Sequence, residues 1–132
     1  MKLRKFNRKD CSHSIGDGMP YVTLEKNGII RLNRIACELL EITIGEKLNV
    51  LQDEDRPKDW YLEKTSDEDG LIMRKHSSSG SICSNSKPIT VLMRNSIGIQ
   101  QQSVRFRLAT QSLNGENKVY AILTSSINKE IK

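Results

Sequence analysis

Few residues of this chain stand at spacings that chemistry requires. Cys11 and His13 lie two positions apart, a familiar metal-ligand spacing, but a structural zinc takes four ligands and two do not make a site. Asp53 and Asp55 open like a calcium-binding loop. Counting on, the sixth position is Lys58 and the twelfth is Lys64, where such a loop needs a glycine and a bidentate glutamate. Gly16 and Gly18 have no strand before them and no third glycine after them, so they do not form a dinucleotide-phosphate turn. Neither His13 nor His76 lies in a recognisable nucleophile–base pattern. These exclusions leave no catalytic residue, no metal ligand and no cofactor to name, and the chain is expected to be non-enzymatic.

Basic residues are the remaining chemistry. Lys2, Arg4, Lys5, Arg8 and Lys9 face only Asp10 within the first ten residues, which places +4 of the net charge of +5 there. A basic arm binds phosphate by releasing condensed counterions, although charged termini are also commonly loose and solvated. Arg105 and Arg107 alternate with Val104, Phe106 and Leu108. They would either contact phosphate or carboxylate or form the polar face of a half-buried strand, which alternation alone predicts. Of the neighbours Trp60 and Tyr61, Trp60 is expected in the core.

The elements that position these groups must fit within 132 residues, one domain or two very small ones. Hydrophobic residues at 36% suffice for a packed core, and aromatics at 5% leave Ile, Leu and Val to fill it. No apolar run approaches the ~20 residues of a membrane helix, and no apolar stretch follows the basic start as in a secretory signal. Three cysteines, Cys11, Cys37 and Cys83, make no disulfide framework. A cytoplasmic location with reduced thiols is expected.

Residues 1–18 read as a basic flexible tail ending in chain breakers. Residues 21–32 alternate around Asn27-Gly28, which favours a two-residue type I′ turn. The period then changes: Leu32, Ile35, Ala36, Leu39 and Leu40 share one helical face, with Asn33 as N-cap. Strands follow from Leu48, at 60–64 and at 71–74. A second helix opens at Ser86 and Pro88, with Ile89, Leu92, Met93 and Ser96 along one side. Strands at 104–108 and 119–123 flank a turn at 111–117, and 127–132 is a frayed end. Residues 19–66 and 67–126 run through the same order of elements, with Ile42-Thr43-Ile44 matching Ile97-Gly98-Ile99. Either this is a divergent internal duplication, or a β-rich chain has repeated its pattern by chance.

The residues Gly28, Ile30, Leu32, Leu40, Ile42, Gly45, Glu46, Leu48 and Val50 fall without a gap at the offsets of a known pattern. They run as glycine, alternating strand, short helix ending Leu-x-Ile, Gly-acidic turn, and alternating strand. This stretch resembles the swapped-hairpin module of the AbrB/MazE/SpoVT family. With its flanking strands, at 21–64, the resemblance covers about a third of the chain. It implies a β-rich α+β fold, a swapped-hairpin AbrB-like barrel with short helices. The family works as dimers that exchange hairpins, so two degenerate copies in one chain would make a single-chain pseudo-dimer. The family usually carries arginine where Ile29 stands, proline where Asn33 stands, and basic residues where Cys37 and Glu38 stand.

By this resemblance the expected function is that of a DNA-binding regulator or antitoxin-like protein. The contacts would come from Arg4, Lys5, Arg8, Lys9, Lys26, Arg31 and Arg34. Alternation points Arg31 away from the face of Ile30 and Leu32. The alternative is a structural or assembly module that uses the same scaffold to contact another protein or a copy of itself. No membrane partner and no small-molecule substrate is expected.

Overall fold

A computed structural model of the chain describes residues 18–77, 80–99, 103–113 and 119–129. Apolar alternation builds the first two strands, β1 (Tyr21–Leu24) and β2 (Ile29–Leu32), which pair antiparallel with Leu24 opposite Ile30. The connection differs from the expected type I′ turn. It is a three-residue loop, Lys26-Asn27-Gly28, in which Glu25 N–H donates to the Ile29 carbonyl at 2.9 Å and Gly28 alone has positive φ, at 90°. The longer loop brings its backbone onto a later helix. The Gly28 carbonyl accepts from Ser86 N–H at 2.9 Å, and a Cβ at Gly28 would lie 2.9 Å from the Lys87 Cα.

Asn33 ends β2 and starts helix α1 (Arg34–Leu40). Its Oδ1 accepts from Ala36 N–H at 3.0 Å, satisfying an orphan donor of the first turn. The same oxygen accepts from Tyr21 N–H at 2.9 Å, and Nδ2 donates to the Met19 carbonyl at 2.9 Å. One side chain thus caps the helix and pins the start of β1. The helix buries Ala36, Cys37 and Leu40, while Ile35 is only partly covered. The stripe is therefore rotated from the expected Ile35 face towards Cys37, because the Cys37 flank closes against Leu32, whose carbonyl lies 3.9 Å from the thiol. Glu41 ends the helix in the left-handed region at φ 54°, and Ile42 N–H reaches back to the Cys37 carbonyl at 3.0 Å. This is a Schellman-type stop with Glu41 where glycine is usual.

Seven further strands follow: β3 (Lys47–Gln52), β4 (Trp60–Thr65), β5 (Leu71–Ile72), β6 (Arg74–Lys75), β7 (Ile82–Asn85), β8 (Val104–Leu108) and β9 (Val119–Lys129). Helix α2 (Lys87–Ile97) lies between β7 and β8, capped by Ser86 as expected. The strands form one antiparallel sheet in the order β5-β3-β4-β9-β8-β1-β2-β7-β6. Its two ends, β5 and β6, are separated in sequence by Met73 alone. Met73 N–H donates to the Glu46 carbonyl at 2.9 Å, and Gly45 N–H donates to the Met73 carbonyl at 2.8 Å. The sheet is thereby rolled into a nearly closed barrel around Val22, Leu24, Ile30, Leu32, Leu48, Leu62, Met73, Val104, Phe106 and Leu108.

Two further expectations are corrected. Leu92 does not face the core but is 60% exposed; α2 buries Thr90, Met93 and Arg94 instead. The helix is rotated so that the Arg94 guanidinium donates to the Glu25 carbonyl at 2.7 Å. The end of the chain is paired further than expected: β9 continues through 127–129, with Lys129 opposite Val104 after a register shift between Arg105 and Arg107. Trp60 lies in the core as expected, its indole N–H donating to Ser96 Oγ at 2.7 Å.

These contacts set the expected mutational responses. Leu40→Ala should cost ~2–5 kcal/mol, the usual range for a buried large-to-small change. Glu41→Gly should stabilise by about 1 kcal/mol, because it relieves a left-handed non-glycine residue. Gly28→Val should destabilise through both its positive φ and its contact with Lys87. Urea unfolding of the three variants checks the set; a mild Leu40→Ala would remove α1 from the core.

Candidate nucleic-acid interface

Antiparallel register brings side chains far apart in sequence into one line. Across the outer face of the barrel, Arg74 lies opposite Cys83, Cys83 opposite Arg31, Arg31 opposite Thr23, and Thr23 opposite Arg105. Three arginines therefore share one cross-strand row running over β6, β7, β2, β1 and β8. Arg107 stands next to the row, opposite Tyr21. Inward neighbours of the row, such as Val22, Ile30, Leu32 and Phe106, are fully buried, so alternation turns the arginines outward.

The row is held by specific contacts. The Arg105 guanidinium sits 4.1 Å from the centroid of the Tyr21 ring, a cation–π distance. That stacking places its buried Nε where no described residue accepts from it. Arg31 Nε lies 4.0 Å from Glu25 Oε1, and His76 Nε2 lies 3.9 Å from Glu25 Oε2. Glu25 is thus a hub: its carboxylate faces Arg31 and His76, while its carbonyl holds Arg94. Burial pushes Arg94 below the ordinary guanidinium value, yet an arginine stays charged near neutral pH.

The expected contact residues are distributed unevenly. Arg31 lies in the row but is half-buried rather than fully exposed. Lys26 is exposed on the β1–β2 loop. Arg34 lies on α1, exposed, with its Nε 3.7 Å from Glu38 Oε1 one turn on. Arg4, Lys5, Arg8 and Lys9 lie outside the described residues. Arg105 and Arg107 form the outward polar face of β8 that alternation predicts, and strand register brings that face beside Arg31 and beside Arg74, which no motif marks. Only strand register connects these positions.

A second feature lies at α1. An apolar groove of about 480 Å³ is lined by Arg34, Cys37, Glu38, Glu41, Ile42, Thr43, Ile44, Gly80 and Ile82. Ile44 at its rim is 59% exposed. Burial, reinforced by the charge of Glu38, pushes the Cys37 thiol from 9.0 up to about 11 against the opposing effect of the Ile82 backbone. Cys37 is therefore a neutral thiol near pH 7 and no nucleophile. Next to the groove, Glu46 accepts from Thr43 N–H and Oγ1, both at 2.9 Å, and pairs with Lys64 at 2.9 Å. Lys64 foremost, and then Thr43, hold the Glu46 carboxyl below its ordinary value. Among the described residues no three of His, Cys, Asp and Glu converge on a point, and no helix is long and apolar enough to cross a membrane.

Among the described residues, the fold and site define a nearly closed antiparallel barrel with two short helices and an arginine-lined outer face. No family model, curated protein or solved structure matches the chain, so its functional reading rests on its own residues.

The raised Cys37 value gives a pH dependence. Its contribution to stability is fully present below pH 9.0, the unfolded value, and is lost as pH rises towards about 11. Replacing Cys37 by Ala should flatten that alkaline loss relative to the parent chain in urea unfolding across this window. Equal slopes for the two proteins would place the thiol in solvent.

Proposed function

We propose that this chain is a non-enzymatic DNA-binding regulator or antitoxin-like protein, built as two interlocked copies within one chain. The pairing pattern supports the interlocking. In the first half the hairpins are β1–β2 and β3–β4, and in the second they are β6–β7 and β8–β9. β1 and β2 are flanked by β8 and β7, and β3 and β4 by β5 and β9. No hairpin of one half pairs with the other hairpin of that half. Exchanging the halves, with β5 and β6 counted as one interrupted strand, maps the set of pairings onto itself. That is the arrangement expected of a hairpin-swapped dimer joined into one chain. Light scattering at micromolar concentration should find a monomer; an obligate dimer interlocked through residues 21–64 would overturn the pseudo-dimer.

The observation that carries the nucleic-acid reading is the row Arg74, Arg31, Arg105, with Arg107 beside it. A line of guanidinium groups on a rigid sheet suits a phosphate backbone, because such contacts position a protein through charge rather than base sequence. The expected basic arm adds to this charge. The departure at Cys37 removes no surface contact, since that side chain is buried. Affinity for duplex DNA should fall steeply with salt, and Arg74→Gln with Arg105→Gln together should make the log–log salt slope shallower by roughly two. Deleting residues 1–9 should weaken binding to all sequences alike. Absence of binding at low salt would sink the reading.

The groove at α1 favours the second reading, an assembly module. Its apolar lining and the exposed Ile44 are what a protein contact would use. Ile44→Asp should leave DNA affinity unchanged under the first reading and abolish self- or partner-association under the second.

A further inference from the structure

Two residues beyond Arg74, His76 N–H donates to the Ser81 carbonyl at 3.0 Å. This continues the β6–β7 pairing in register, so His76 keeps the outward parity of Arg74. Its side chain, 30% exposed, lies between two polar groups. Nε2 is 3.9 Å from Glu25 Oε2, and Nδ1 is 3.4 Å from the Ser81 hydroxyl. Ser81 is buried, with its hydroxyl 2.7 Å from that of Ser77. A neutral imidazole carries one N–H and an imidazolium carries two. Only the charged ring has a proton for each neighbour, since a carboxylate accepts and the Ser81 hydroxyl can turn to accept while donating to Ser77. The other Glu25 oxygen is 4.0 Å from Arg31 Nε. One carboxylate thus stands between a fixed cation and a titratable one.

We propose that His76 is a proton-operated switch of the arginine face: on protonation it takes a share of Glu25, and the face gains one positive charge for binding a polyanion. The charged and titratable groups around it come from each neighbouring element. They are Glu25 after β1, Arg31 on β2, Arg74 and Lys75 on β6, Cys83 on β7, and Arg34 on α1, whose stem lies against Gly80. Burial, and then Glu25, raise the Cys83 thiol against the effect of Arg31 and Arg74, so it stays neutral in neutral and acid solution. Of these side-chain types, histidine is the one that ordinarily changes charge between about pH 5 and 8. Below that range His76 matches the Glu25 charge, and Arg31 and its row neighbours are less offset. The use of the added charge rests on the nucleic-acid reading; the shared carboxylate does not.

The test follows the full chain by NMR across this pH range, reading the His76 ring, the Glu25 carboxyl carbon and the Arg31 Nε–H, with duplex DNA affinity measured in parallel. The Glu25 and Arg31 signals should move with the His76 titration, and His76→Gln should remove that step. DNA affinity should be roughly three- to tenfold higher at the acid end at about 0.1 M salt, and the log–log salt slope steeper by about 0.9, as one added cation requires. His76→Gln should hold affinity at the alkaline-end value, and His76→Lys should hold it at the acid-end value. This pair of variants also separates His76 from His13, the other histidine of the chain. Glu25 and Arg31 signals that stay still through the His76 titration overturn the inference. So does a DNA affinity that is independent of pH, or a pH dependence that survives His76→Gln. Coupled titration in a chain that binds no DNA at low salt supports the shared carboxylate and overturns only the nucleic-acid reading.

Discussion

A sheet has two edges, and each edge presents unpaired N–H and C=O groups that must be met or covered. In this protein the same short stretch meets both. Leu71–Ile72 pairs with β3, Arg74–Lys75 pairs with β7, and Met73 between them turns its side chain into the core. The backbone of Met73 is bonded on both sides to the Gly45–Glu46 turn. That turn is in turn secured by Glu46 on Thr43 and Lys64. The barrel depends on this closure, because it brings β3 and β7, at opposite ends of the sheet, to the same place.

Closure also explains how arginines can stand on the sheet without destabilising it. The inward residues of β1, β2 and β8 are fully buried aliphatic and aromatic groups, and burial of such side chains supplies the main driving force. The outer face is then free to carry charge. The Arg105 guanidinium stacks on the Tyr21 ring, while the charge of Arg31 is balanced locally by Glu25. A surface built in this way is cationic and ordered at once, which is what a phosphate-binding face requires. Glu25 ties this face to α2 through Arg94, so the loop carrying Lys26 is fixed rather than merely charged.

Much of the local structure was legible in the residues. Alternation located most of the strands, Asn33 and Ser86 behaved as helix caps, and Trp60 belonged to the core. Each of these depends on a residue and its near neighbours. The misreadings share a different cause. Asn27-Gly28 has the composition of a two-residue turn, but the loop is set by Gly28 docking on Lys87. Ile35 and Leu92 fit an apolar stripe, but the helices rotate towards Leu32 and the Glu25 carbonyl, and so bury Cys37 and Arg94 instead. For the loop and for α2 a partner distant in sequence outweighed the local pattern.

The sequence by itself determined periodicity, caps and the absence of an obvious catalytic motif, because these are properties of contiguous residues. It also determined the parity of each strand, so that Arg31, Arg105 and Arg107 had to face away from the core. Only the tertiary structure decided which arginines become neighbours. Arg74, Arg31 and Arg105 are aligned by four successive strand pairings, and a shift of one residue in any of them would break the row. The docking of the β1–β2 loop on α2 was likewise invisible beforehand, since it rests on the contact of Gly28 with the start of that helix. Side-chain parity is local, whereas register and helix rotation are set by packing between segments far apart in the chain.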